Sequence, residues 1–268
     1  MGELSAVMPL FSLPVGAIEL YMLVYLRVLG LLTTLPVFGG SEIPRSLKAG
    51  LVAAFALVVA VGLIAKGPIT VPAVGFYFML GAAKELIFGL MCGWLISWVV
   101  QAAIIGMQMV GFQMGFAIVN VVDPSTGSAI SIMATLHARL AVIVFIVSGI
   151  YRPFLQAIAD SFTIVPLGAV VFHPSQAQMF IETLDLAFKT SITIAGAPIA
   201  ALLLSKIGLG VIARTVPQMN VFIVGFPLTI GIGLIVTAVG VPYFVHGIDA
   251  MYQHSLTRML QFMATAAP

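Results

Sequence analysis

The residues able to do chemistry in this chain do not converge. Its four histidines, His137, His173, His246 and His254, are dispersed, and none stands in a metal-ligand spacing such as His-Glu-x-x-His. His246 and His254 can share a helix face, a pattern that interfacial or packed histidines explain better than a ligand pair. Cys92 is the single cysteine, which excludes an intrachain disulfide and a multi-cysteine metal site. In an apolar run beside Gly93 and Trp94, it reads as a packed thiol. The glycine-rich stretches lack the Lys-Ser/Thr of a phosphate loop, so no nucleotide site is expected. Ser125, Ser128 and Ser131 follow a predicted helix start and read as capping or helix-packing residues. These residues predict no enzyme, no cofactor and no metal site.

Composition says what must position the remaining polar groups. Of 268 residues, 61% are hydrophobic and 7% charged, against about 25% charged in ordinary soluble domains. The expected class is all-α: a polytopic, membrane-associated set of helical hairpins with broken helices. A net charge of +2 and 11 scattered basic residues give no nucleic-acid footprint. Glu3 stands near the start and no basic residue precedes Arg27, so the positive region of a cleavable signal peptide is missing and the first helix should be kept.

One stretch organises the rest: Gly106 to Pro124, GMQMVGFQMGFAIVNVVDP. It closes a charge-free run of 37 residues, Leu86 to Val122, bounded by Glu85 and Asp123. As one helix that run reaches roughly 55 Å, against a hydrocarbon core of about 30 Å. It is therefore expected to break in its second half, where Gly106, Gly111 and Gly115 interrupt Met107, Met109, Phe112, Met114 and Phe116. Unwound backbone at membrane depth must be buried in protein or line a cavity. The alternative is a continuous helix docked closely on a neighbour through Gly111 and Gly115.

The remaining chain divides as follows. An apolar segment over 13–38 carries Glu19 and Arg27 eight residues apart, on one helix face. Pro44 is suited to starting the next helix, which Lys66, Gly67 and Pro68 end. Lys84 and Glu85 are adjacent, so they point to different faces and need not pair. Asp123 and Pro124 are placed to start a helix carrying His137 and Arg139 as far as about Gly149. Arg152-Pro153 reads as a break or kink, and Val165-Pro166-Leu167-Gly168 as a turn. His173–Asp185 and Lys206–Arg214 read as connections flanking a hairpin arm at 186–205. Their charge bias puts the second on the cytoplasmic side. A second charge-free run of 34 residues, Thr215 to Ile248, should be divided by Pro217, Pro227 and Pro242. Within the two runs, apart from His246, the strong polar groups are Gln101, Gln108, Gln113, Asn120, Gln218 and Asn220. They suit either a secondary transporter or freed backbone at a protein–protein interface. Against the transporter, no matched pair of interrupted segments carries an intramembrane Asp or Glu.

Several segments in order resemble the FliR family, the flagellar member of the type III export gate, whose injectisome relatives form the SctT branch. They are RVLGLLTTLPVF at 27–38, IPRSLKAGL at 43–51, GFQMG at 111–115 and VVDP at 121–124, then DSFTIVPLG at 160–168 and PQMNVFIVGFPLT at 217–229. The last favours the flagellar branch. One departure is that Ser148-Gly149-Ile150-Tyr151 stands where the family often has Gly-His, so no role of that histidine carries over.

The resemblance implies one FliR-like domain over 1–268, FliP-like in front and FliQ-like behind. It also implies assembly with FliP and FliQ subunits, with FlhB and FlhA beside them, in the bacterial inner membrane at the flagellar basal body. Unfolded flagellar proteins would pass through the pore of this gate, and the family's pore plug matches Gly106 to Val122. Among the plug residues (Gly106, Met107, Met109, Gly111, Phe112, Gln113, Met114, Gly115 and Phe116), Phe112, Met114 and Phe116 are expected to occupy the pore. Arg27, Arg214, Gln218 and Asn220 are expected at subunit contacts. At least one of the two arginines should meet a partner's carboxylate or helix-end carbonyls; the alternative for Arg214 is snorkelling to the membrane surface.

Overall fold

The chain folds into helices because, among apolar side chains and away from water, its polar backbone has few other ways to pair its N–H and C=O groups. The computed structural model describes residues 16–39, 43–66, 75–116, 131–216, 218 and 220–267, and no strand occurs among them. In order, the helices are α1 (Ala17–Thr34), the single turn α2 (Pro36–Gly39), α3 (Arg45–Lys66), α4 (Phe76–Met114), α5 (Ile132–Val147), α6 (Tyr151–Ile164), α7 (Pro174–Thr215) and α8 (Val221–Thr265). Among the described residues, α1, α3, α4, α7 and α8 are each long and apolar enough to cross a membrane.

Three helices are longer than the sequence pattern suggests. α4 has 39 residues, α7 42 and α8 45, or roughly 58 to 68 Å. α4 passes through Gly106 and Gly111 without unwinding and ends at Met114. The break expected across 106–115 is therefore confined to its last glycine. The connections expected at His173–Asp185 and Lys206–Arg214 are instead turns of α7, which begins at Pro174. Polar residues there are spaced as helix partners: Gln178 Nε2 lies 3.4 Å from Glu182 Oε1 and Lys189 Nζ 2.6 Å from Asp185 Oδ2, both at i,i+4. With no loops at those places, the expected charge bias between two loops has no structural basis. Pro227 and Pro242 likewise lie inside α8. Each proline removes one helix hydrogen bond, whereas unwinding there would free several backbone groups in an apolar setting.

α5 runs over Ile132–Val147, with Ser131 as its N-cap accepting from the Ala134 N–H at 3.3 Å; Asp123 and Pro124, where a helix start is expected, lie outside the described residues. One further boundary moved. The break before α6 falls at Ser148–Ile150, where Gly149 has φ 74°. Arg152 and Pro153 belong to the first turn of α6, where a proline costs no helix bond. The turn at Val165–Gly168 is present, with Gly168 at φ 79° and the Ala169 N–H bonded to the Pro166 carbonyl.

The chain forms two compact units. The first comprises Met1–Leu95, Phe154–Gln176 and Met259–Pro268. Its core stripe on α1 is Leu20, Leu23, Val24, Val28 and Leu31, all buried at helical spacing. α1 and α4 approach so closely that a Cβ on Gly30 would lie 2.5 Å from the Leu86 carbonyl oxygen, and one on Gly89 would overlap that of Arg27. Gly93, four residues on, meets Leu31 and Thr34 in the same way. The second unit is Ile96–Pro153 with Ala177–Arg258. Here a Cβ on Gly106 would lie 2.6 Å from the Ser191 carbonyl oxygen, and Gly233 makes room for Met114. The Tyr252 hydroxyl donates to the Ala141 carbonyl at 3.2 Å.

Gly89→Ala should therefore destabilise the protein by about 1–3 kcal/mol, because backbone must move to admit one methyl. Gly196→Ala, with nothing within 4 Å of the added carbon, should be neutral or slightly stabilising. Thermal unfolding of the two detergent-solubilised variants checks the contrast.

Candidate functional site

The glycine-rich end of α4 stops in a helix-terminating motif. Gly115 adopts φ 99°, its N–H donates to the Phe112 carbonyl at 3.2 Å, and the Phe116 N–H donates to that of Gly111 at 3.1 Å. These two bonds satisfy terminal carbonyls that an α-helix leaves unpaired, and they need a residue tolerant of the left-handed region. A Cβ on Gly115 would also press on the Phe226 ring at 2.8 Å. The carbonyl of Met114 accepts from the Thr229 hydroxyl at 3.1 Å, and Gln113 Oε1 accepts from Lys206 Nζ. Around this turn lies a cavity of about 370 Å³ bounded by Phe112, Leu209, Gly210, Gly225 and Phe226.

The residues singled out along this stretch do not share one environment. Phe112 is 50% exposed and Met109 45%, whereas Met107 and Met114 are buried. Met114 is enclosed against Gly233, so it does not stand with Phe112 on an open face. Gly106 and Gly111 dock the helix on neighbours, Gly111 against Ser131 and Met133. Gln108 Oε1 accepts the Ser131 N–H at 2.8 Å, giving a partner to backbone at the start of α5. Residues 117–122 and Asn120 lie outside the described residues.

Arg27 lies in a second polar centre, in the first unit. Its guanidinium is fully buried: Nε meets Glu85 Oε2 at 2.5 Å, and Nη1 donates to the carbonyls of Ser161 at 2.9 Å and Val165 at 3.0 Å. Those carbonyls close the C-terminal end of α6, where a cation is favoured by the helix dipole. Glu85 Oε1 accepts the Gly168 N–H at 2.8 Å. The rings of Phe88 and Phe162 lie 4.9 and 4.6 Å from the guanidinium carbon. Helix-end carbonyls are among the partners expected for Arg27, but here they belong to its own chain. Glu85 as its counter-ion was missed; the signal was a lone carboxylate inside an apolar stretch.

The other predicted contact residues lie elsewhere. Arg214 and Gln218 are exposed. Asn220 caps α8, its Oδ1 accepting from the Ile223 N–H at 3.4 Å. His137 is packed: Nδ1 donates to the Met133 carbonyl at 2.9 Å and its ring meets Phe244 edge-on. His246 is exposed; so is His254, whose Nε2 accepts from Arg258 Nε at 3.2 Å. Among the described residues no group of three or more His, Cys, Asp or Glu is placed to hold a metal.

A model of the bacterial export proteins, family 1, matches residues 18–255. The chain belongs to this family. It is 31% identical over 226 residues to the flagellar biosynthetic protein FliR of Bacillus subtilis (strain 168), covering 82% of this chain and 85% of that one. FliR of Escherichia coli (strain K12) is 26% identical over 225 residues, 84% and 85% of the two chains. The surface presentation of antigens protein SpaR of Shigella sonnei is 29% identical over 212 residues, 76% and 78% of the two chains. The chain is thus a FliR-family export component, with injectisome-type proteins among its relatives.

Removing either member of the buried pair leaves the other charged and unpaired. Arg27→Ala or Glu85→Ala should cost about 3–5 kcal/mol, while Arg27→Ala combined with Glu85→Ala should cost less than the two single changes summed. A double-mutant cycle on thermal unfolding, or on steady-state protein level, checks this.

Proposed function

We propose that this protein is a channel subunit of the flagellar type III protein export gate, and that Gly106 to Val122 forms the plug closing its pore. In this reading it assembles with FliP and FliQ subunits in the inner membrane at the flagellar basal body, with FlhB and FlhA beside it. Its front part is FliP-like and its back part FliQ-like, and unfolded flagellar proteins pass through the pore. The observation that carries the reading is the end of α4. A 39-residue apolar helix ends at Met114, just before the final glycine of the family-matching GFQMG, leaving Phe112 half exposed beside a cavity. An apolar obstruction of Phe and Met side chains adapts to irregular surfaces and resists wetting by ions. The flagellar relatives are matched over 81 to 84% of this chain and the injectisome-type ones over 68 to 76%, which favours the flagellar assignment. A virulence-type gate is the alternative, supported by the 29% identity to SpaR.

The assembly reading explains apolar surface that the chain leaves open. Val58 on α3 is 72% exposed, Met79 on α4 70%, and Val239 on α8 78%. Expressed alone, the protein should aggregate or be degraded; co-expressed with FliP and FliQ homologues it should purify as one large complex. A stable monomer transporting a small solute in liposomes would overturn the assignment.

Deleting Gly111 to Gly115 should raise ion and small-molecule leakage in cells that still assemble the complex. A bulky residue at Gly115 should instead impair assembly or motility, since both its φ and the Phe226 ring oppose a side chain. Membrane permeability decides the matter: an assembled, non-leaking deletion variant rules the plug out.

A further inference from the structure

Two polar contacts converge on consecutive residues of the last turn of α4, from two different helices. Lys206 on α7 donates to the side chain of Gln113, and Thr229 on α8 donates to the carbonyl of Met114. We propose that Lys206 and Thr229 are positioning residues: a releasable catch that holds this last turn of α4 in the resting position. The inference rests on the reading that Gly106 to Val122 closes the pore.

Both contacts are chemically easy to exchange. The Thr229 hydroxyl has one proton, yet its oxygen also lies 3.0 Å from the Gly225 carbonyl and 3.2 Å from that of Phe226, in its own helix. It can turn back onto α8 and keep a hydrogen bond while Met114 loses its donor. Lys206 is exposed and bonds a neutral amide, so letting go of Gln113 separates no ion pair. The contrast with Arg27 and Glu85 is direct: that pair is wholly buried, and separating it strands two charges. Space for movement lies alongside. The cavity of about 370 Å³ borders Phe112 and Met114, and three of its lining residues, Gly115, Gly210 and Gly225, carry no side chain. Gly115, directly after the gripped turn, is the residue whose backbone can change direction at least cost.

The test compares ion permeability in cells carrying assembled complexes. Lys206→Met and Thr229→Val should each raise the resting leak about five-fold, the effect of losing one hydrogen bond from a two-position equilibrium. Lys206→Arg and Thr229→Ser, which keep the donors, should return it to near the parental level. Gln113→Leu should leak like Lys206→Met, and the two together no more than either alone, because both break one contact. If Lys206→Met and Thr229→Val assemble without leaking while the Gly111–Gly115 deletion leaks, the catch is overturned and the plug reading stands. If none of the three leaks, both fall. Should the single variants fail to assemble, Gln113→Cys with Lys206→Cys provides the second measurement, since Cys92 is buried and does not compete. Joining the two cysteines with a short bifunctional thiol reagent in the assembled complex should abolish export until reduction. Undiminished export after cross-linking overturns the proposal.

Discussion

The first unit depends on a charge that has been taken wholly out of water. Burying a guanidinium and a carboxylate costs several kcal/mol per ion, and attraction between them offsets this only when every remaining donor and acceptor is well placed. Around Arg27 and Glu85 most are. One guanidinium nitrogen meets the carboxylate, another meets two carbonyls at the end of α6, and the second carboxylate oxygen takes the Gly168 N–H. Two phenylalanine rings lie against the cation. A single side-chain cluster therefore sets the register of α1, α4, the end of α6 and the turn after it. Its short reach demands close helices, and Gly30, Gly89 and Gly93 supply the missing thickness. Phe88 carries the packing onward, stacking at 5.6 Å on Phe262 near the end of α8.

In the second unit, several uncharged side chains each serve one backbone group at a helix end. Gln108 serves the backbone before α5, Ser131 caps that helix, Thr229 serves the end of α4 and Asn220 caps α8. Each meets a backbone group that helix geometry leaves unpaired. Apolar surroundings make such groups costly to neglect, which is why a chain with so few polar residues places them there. The two units thus hold their elements by different means. A fully buried ion pair resists separation, whereas a single hydrogen bond whose loss strands no buried ion pair can exchange partners.

Fold class and family were legible in the sequence, and for sound reasons. Composition alone excludes a soluble domain, since 7% charge cannot cover one. The motifs IPRSLKAGL and GFQMG both lie within residues 18–255, which the family model matches. The turn at 165–168 was also local information, because proline fixes φ and glycine readily takes positive φ whatever surrounds them. Helix lengths were not legible. Glu182 and Asp185, the basic stretch at 206–214 and the prolines at 227 and 242 read as interruptions, yet in this setting an unpaired backbone costs more than a strained or polar helix.

The sequence by itself determined that the chain is apolar and of a helical class, that its first long charge-free run should break among Gly106, Gly111 and Gly115, and that Arg27 needs a partner. These follow from residue chemistry at single positions. Only the tertiary structure decided that the partner is Glu85, 58 residues away, and that Gly106 and Gly111 serve docking while Gly115 serves termination. It alone placed Met114 inside while leaving Phe112 out. A glycine that admits a neighbour and a glycine that turns the chain look alike in sequence. They differ only in what stands within a few ångströms of the absent side chain, and the fold alone sets that.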